Sequence, residues 1–274
     1  VADASPPTLA LRTLQARAGL LWVQQGIGAC ARNPLGFTAL LVVTTLGFQL
    51  IAQLPLIGPA IALMAMPFVW LAYMRATRLT LGGQRFGLQV LADIWRVPAP
   101  RRNALVRVSS LYVAAVLACF VVVVLVYRNG PDAGLVGKLL QAMEDKRQED
   151  VEALLAGSRL WVYALLLSSL LSVVSLVFWH APALAHALGM RPGKALFFSA
   201  MACWHNRAAF LVYGLAWGAL GFLVMLVSAL AGQLLQSEAA AAVIALPSMV
   251  LLMASFYASL HFSTADCFQA QFEE

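Results

Sequence analysis

Apolar residues run along this chain in long blocks. A helix needs about 20 mostly apolar residues to cross ~30 Å of hydrocarbon. Six stretches meet that length, at about 35–54, 56–76, 104–127, 160–187, 208–233 and 239–264. None carries Lys, Arg, Asp or Glu at its centre. Arg75 and Arg107 fall near span ends, where a long side chain reaches the interface. Pro59, Pro67, Pro182 and Pro247 lie within the second, fourth and sixth stretches. Each removes a backbone hydrogen bond, which predicts helices that kink rather than stop.

Between these blocks lie three amphipathic stretches too short or too polar to cross: 9–31, 84–97 and 192–205. The second has the clearest pattern. Arg85, Gln89, Asp93 and Arg96 recur at helical spacing, while Phe86, Val90, Leu91, Ile94 and Trp95 fill the remainder. Such a helix is expected to lie in the headgroup plane with its polar stripe toward water. Each stretch precedes an Asn beside an Arg: Arg32-Asn33, Arg102-Asn103 and Asn206-Arg207. With Trp22, Trp95 and Trp204, these residues are read as interfacial anchors. The expected fold is all-α: a single integral membrane domain over 1–274, with six transmembrane helices as three hairpins, each preceded by an amphipathic interfacial helix. Residues 1–8 are expected to be a disordered lead-in.

Composition strengthens this reading. The chain is 62% hydrophobic and 11% charged, with a mean hydropathy of +0.82. Soluble domains hold about 25% charged residues, so lipid must solvate much of this surface. The net charge of +6 points to topology rather than to nucleic acid, because of where the charges sit. Thirteen of the eighteen Lys and Arg fall in the N-terminal segment and in the 2–3 and 4–5 connections. The other five lie between spans 3 and 4, among six acids. Short basic loops stay in the cytoplasm, so both termini are expected there, in a bacterial inner membrane. No signal peptide is read at the N-terminus, the first long apolar run beginning near Leu35. The 128–159 connection is expected to be periplasmic and to form one or two amphipathic helices.

Candidate chemistry is sparse. The four cysteines show no metal or redox spacing. No paired His, phosphate loop, nucleophile elbow or carboxylate pair is present in the sequence. His180 and His261, in or near spans 4 and 6, are the candidates for an intramembrane polar site. No catalytic residue, metal site or cofactor is expected. Gly214 and Gly218 form a GxxxG, and Ser168 and Ser172 repeat along span 4. Small residues at this spacing let helices approach, and packing inside the chain is expected ahead of a homodimer contact.

The runs "RNPLGF" (32–37), "LPLIGP" (54–59) and "MPFVWLAYMRATR" (66–78) resemble the BPSS-type family of uncharacterised proteobacterial six-helix inner-membrane proteins. So do "APALAHALGMRPGKALFFSAMACWHN" (181–206), "FLVYG" (210–214) and "SFYASLHFSTADCF" (255–268). The resemblance implies the fold and the inner-membrane location, and carries over no activity. The functional expectation is a non-enzymatic accessory or scaffold protein, a homo-oligomer or a subunit of a larger assembly. The alternative is a channel or carrier for an apolar or lipid-like substrate. The expected partners are the lipid bilayer and either a protein partner or a second copy, with no nucleic acid.

Overall fold

The structure, a computed structural model, describes residues 10–145 and 148–268; the lead-in expected at 1–8 lies outside them. Among the described residues, six helices are long and apolar enough to cross a membrane. They are α2 (Pro34–Ala52), α3 (Gly58–Leu81), α5 (Ala99–Arg128), the α8–α9 pair, α11 (Arg207–Leu234) and α12 (Glu238–Cys267). The protein is thus a polytopic all-α membrane protein. In the fourth span, α8 (Leu160–Phe178) breaks at Trp179-His180, and α9 (Ala181–Leu188) restarts with Pro182 in its first turn. Pro182 therefore opens a new helix, as Pro59 opens α3, because a first-turn proline lacks only an N–H that had no intrahelical partner. Pro67 and Pro247 lie inside helices that continue through them.

Sequence neighbours pair as hairpins, α2 with α3, α5 with α8 and α11 with α12, and α3 and α12 lie against each other at the centre. Asn33 caps α2 by accepting the Gly36 N–H at 3.1 Å, and Ser237 caps α12 by accepting from Ala240. Between the second pair stand α6 (Leu135–Glu144) and α7 (Gln148–Ala156), packed on each other.

The first and last described segments, which pair at Leu11 and Phe268, fall with the 2–3 and 4–5 connections at one end of the bundle, here called the basic end. Buried side chains gather in this half: Phe37 and Leu40 on α2, Tyr73 and Ala76 on α3, Leu105 and Val108 on α5, Leu184 on α9, Ala258 on α12. The opposite halves carry exposed Leu50, Val121, Leu234, Val243 and Leu246. Lipid as solvent imposes no hydrophobic cost on such faces, so the helices need not close over them.

The N-terminal helix α1 (Ala18–Arg32) occupies part of the 9–31 stretch and packs on α11 and α12. Two glycines permit this. A methyl at Gly19 would collide with the Ala209 carbonyl, and one at Gly26 would lie 2.5 Å from Ser259 Cβ and 2.7 Å from the Ser255 carbonyl oxygen. Trp22 enters the space so made, with 0% exposure, and its Nε1 donates to Asp266 at 2.7 Å. Trp22 is therefore a core residue and not an interfacial anchor. Asn206 differs from expectation for a related reason. It is 1% exposed at the α10–α11 joint, α10 being Pro192–His205. Its Oδ1 accepts the Leu14 N–H at 2.7 Å and its Nδ2 donates to the Arg12 carbonyl at 2.9 Å. The segment before α1 is thereby tied down beside the end of α12, where the Arg12 N–H also donates to the Cys267 carbonyl.

The 84–97 stretch forms a shorter helix than expected, α4 (Gln89–Asp93). Its apolar side chains Val90 and Ile94, with Phe86 before it, are buried in the same core as Phe37 and Tyr73. Their partner is therefore protein rather than headgroups. On α10, exposed Phe197 and Trp204 stand seven residues apart, two turns along one face.

Replacing Gly26 by Leu is expected to lower the melting temperature in detergent, at about 1–3 kcal/mol for overpacking against α12. Gly28 has open space around it, so Gly28→Ala should hold or raise that temperature, by up to about 1 kcal/mol of helix propensity. Equal losses for both variants would show that the close approach does not support the fold.

Candidate functional site

A concavity lies at the basic end, between α3, α4, the start of α5, α9 and the last turns of α12. Its volume is about 790 Å³. Helical spacing on α3 sends Arg75 and Arg78 to one side, three residues apart. Asp93 and Arg96 come from α4 and the turn after it, and Arg101 from the first turn of α5. Leu71, Met74, Ile94 and Ala183 supply apolar wall.

Asp93 organises the charged rim. Arg75 Nε donates to its Oδ2 at 3.0 Å and Arg96 Nη1 to its Oδ1 at 3.2 Å. The stripe of Arg85, Gln89, Asp93 and Arg96 is thus not wholly turned to water, since Asp93 reaches back to α3. His186 on α9 closes the cleft against α4, its Nε2 lying 3.1 Å from the Ile94 carbonyl. A carbonyl only accepts, so Nε2 carries the hydrogen. Of the described residues lining the cleft, four are arginines and one is an acid. The arrangement concentrates positive charge beside an apolar wall at the membrane boundary.

The two histidines singled out from the sequence come to one neighbourhood. His261 lines the cleft, as does Thr264 one turn further along α12. Thr264 Oγ1 lies 2.9 Å from Nδ1 of His180, which is fully buried between Phe210 and Phe268. His180 Nε2 has no hydrogen-bond partner there. Among the described residues, no three His, Cys, Asp or Glu side chains stand close enough to share a metal ion.

Other sequence candidates are dispersed. Gly214 and Gly218 sit on the outer face of α11, with nothing within 4 Å of a methyl placed on either. They do not pack against any of the described helices, contrary to the expected internal contact. Ser168 and Ser172 are exposed on α8 and donate to carbonyls of their own helix, at 2.8 and 2.7 Å. Arg32 is exposed, Arg102 half-buried, and Asn103 lies exposed inside α5 rather than at its start. Trp95 is half exposed and stacks on Phe68, with centroids 4.6 Å apart. Trp204 is exposed beneath the Arg207 guanidinium, 5.6 Å from its ring.

Sequence reading missed the cleft. Its arginines counted there as topology signals, and the i, i+3 pairs Arg75/Arg78 and Asp93/Arg96 were the available sign that they share faces.

A probable inner membrane protein of Burkholderia thailandensis is 32% identical to this chain over 260 residues, covering 94% of the chain and 93% of the relative. The chain belongs to that protein's family. The match covers nearly the whole length of both proteins. No protein-family model matches the chain, and no solved structure matches it.

All four cysteines are free and buried. Burial raises the thiol pKa of Cys30, a hydrogen bond to Ser255 opposing it in part, and burial with nearby Cys267 raises that of Cys203. The thiolate is the reactive form, so a raised pKa means less of it at neutral pH. The folded protein is therefore expected to resist maleimide and to take up label only on unfolding. Mass spectrometry before and after denaturation measures this, and rapid labelling of the native protein would contradict the packing described.

Proposed function

We propose that the chain is a non-catalytic accessory or scaffold protein of the bacterial inner membrane, acting through self-association or as a subunit of a larger assembly. The observation that carries this reading is the open face of α11. Gly214 and Gly218 have free space above them, and Leu211 and Leu215 beside them are each 64% exposed. In lipid, helices associate where small residues let backbones approach, so this face is suited to a helix from outside the chain. The charge asymmetry supports cytoplasmic termini, with α6 and α7 in the periplasm. The inner-membrane relative supports membership of the BPSS-type family. A second reading, a carrier for a lipid-like substrate, is favoured by the cleft at the basic end, whose walls are apolar and whose rim is charged.

Replacing Gly214 and Gly218 together by Leu is expected to leave accumulation and melting unchanged, since none of the described residues stands within 4 Å of a methyl at either position, and to shift the detergent-solubilised protein toward a monomer. Native mass and cross-linking read this out. A wild-type protein that purifies as a monomer with no co-purifying protein would overturn the proposal. For orientation, Leu235→Cys in the α11–α12 joint should label in intact spheroplasts with a membrane-impermeant maleimide. Gln84→Cys at the basic end should label only after permeabilisation, and the reverse pattern would invert the topology.

A further inference from the structure

The geometry points to the cleft between α3, α4, α5, α9 and α12 as a binding site for a phosphate-bearing anion. Arginines that merely hold a membrane protein's orientation can spread into water, each separately solvated. Here Arg75, Arg78, Arg96 and Arg101 come from three separate segments and line a single cavity. Asp93 is the sole carboxylate among the described lining residues, and it is already shared between Arg75 and Arg96. Arg75, Arg96 and Arg101 alone outnumber Asp93 three to one among the described lining residues. The Arg75 bond to Asp93 uses Nε, which leaves the two terminal nitrogens of that guanidinium to serve an anion. Arg101 is also shared with a smaller adjoining hollow lined by Arg191 and Lys194, so the positive surface continues outward.

Phosphate suits this site better than a lone small anion. Guanidinium forks pair with phosphate oxygens in a planar, bidentate way, and several positive groups converge where one or two negative charges would be held. A volume of about 790 Å³ also exceeds that of a bare ion. The apolar wall of Leu71, Met74 and Ile94 next to the arginines would take an organic portion attached to the phosphate. Two sources share this chemistry: the headgroup of an acidic membrane lipid and a soluble phosphomonoester. The site requires neither self-association nor transport, as no residue of α11 lines it.

The test titrates the full-length protein in dodecyl maltoside and follows its melting temperature. The ligands are dioctanoyl phosphatidic acid, glycerol 3-phosphate and neutral dioctanoylglycerol. Saturable stabilisation by phosphatidic acid alone would assign a lipid headgroup, whereas similar affinity for glycerol 3-phosphate would assign a soluble phosphomonoester. Arg101→Gln removes one exposed guanidinium and is expected to weaken binding roughly tenfold or more, the loss typical of one charge-assisted contact. Arg207→Gln, which removes the same charge at the same end outside the cleft, should change affinity by less than about twofold. Arg75→Gln gives a second reading from another segment. The inference fails if neither phosphate ligand binds or if dioctanoylglycerol binds as well as phosphatidic acid. It also fails if the Arg101 and Arg75 variants bind no worse than the Arg207 control.

Discussion

The close approach of α1 to α11 and α12 is the constraint on which the basic end of this protein depends. Helices in lipid gain little from hiding apolar side chains, because the solvent is itself apolar. They associate through close packing and through polar bonds that have no better partner. Gly19 and Gly26 supply the first by letting the α1 backbone rest on Ala209 and on Ser255 and Ser259. Trp22 and Asn206 supply the second, bonding Asp266 and the segment before α1. With α1 seated, the end of α12 is held, and with it His261 and Thr264 on the wall of the cleft.

The same logic explains why the bundle is dense at one end and open at the other. Tyr73 stacks with Tyr257 at 4.8 Å and with Phe37 at 6.3 Å, and Thr77 donates to the Ala258 carbonyl at 3.2 Å. These contacts bind α2, α3 and α12 in their basic halves. Toward the opposite end the helices present Leu and Val to lipid, where separation costs little. A protein that grips itself at one membrane surface and leaves apolar faces free elsewhere has surface available for lipid, a partner helix or a second copy.

The sequence made some features plain and hid others. The six spans were legible from length and hydropathy alone, because no soluble core tolerates that much apolar surface. The cap at Asn33 is local, since the bond it makes lies within three residues. Asn206 carries the same local pattern and does different work, because its partners Arg12 and Leu14 are almost two hundred residues away. Likewise the GxxxG of α11 showed that a close contact was permitted there, without showing that none of the described helices would fill it.

By itself, then, the sequence determined the solvent, the number of crossings and the asymmetry of charge, all of which depend on composition within a single segment. Only the tertiary structure decided which arginines of the basic end face one another. Arg75, Asp93, Arg101 and His186 lie on four separate elements, and their meeting depends on where α4 docks against α3 and where the fourth span breaks at Trp179-His180. Those are packing outcomes, set by long-range contacts that no local spacing encodes.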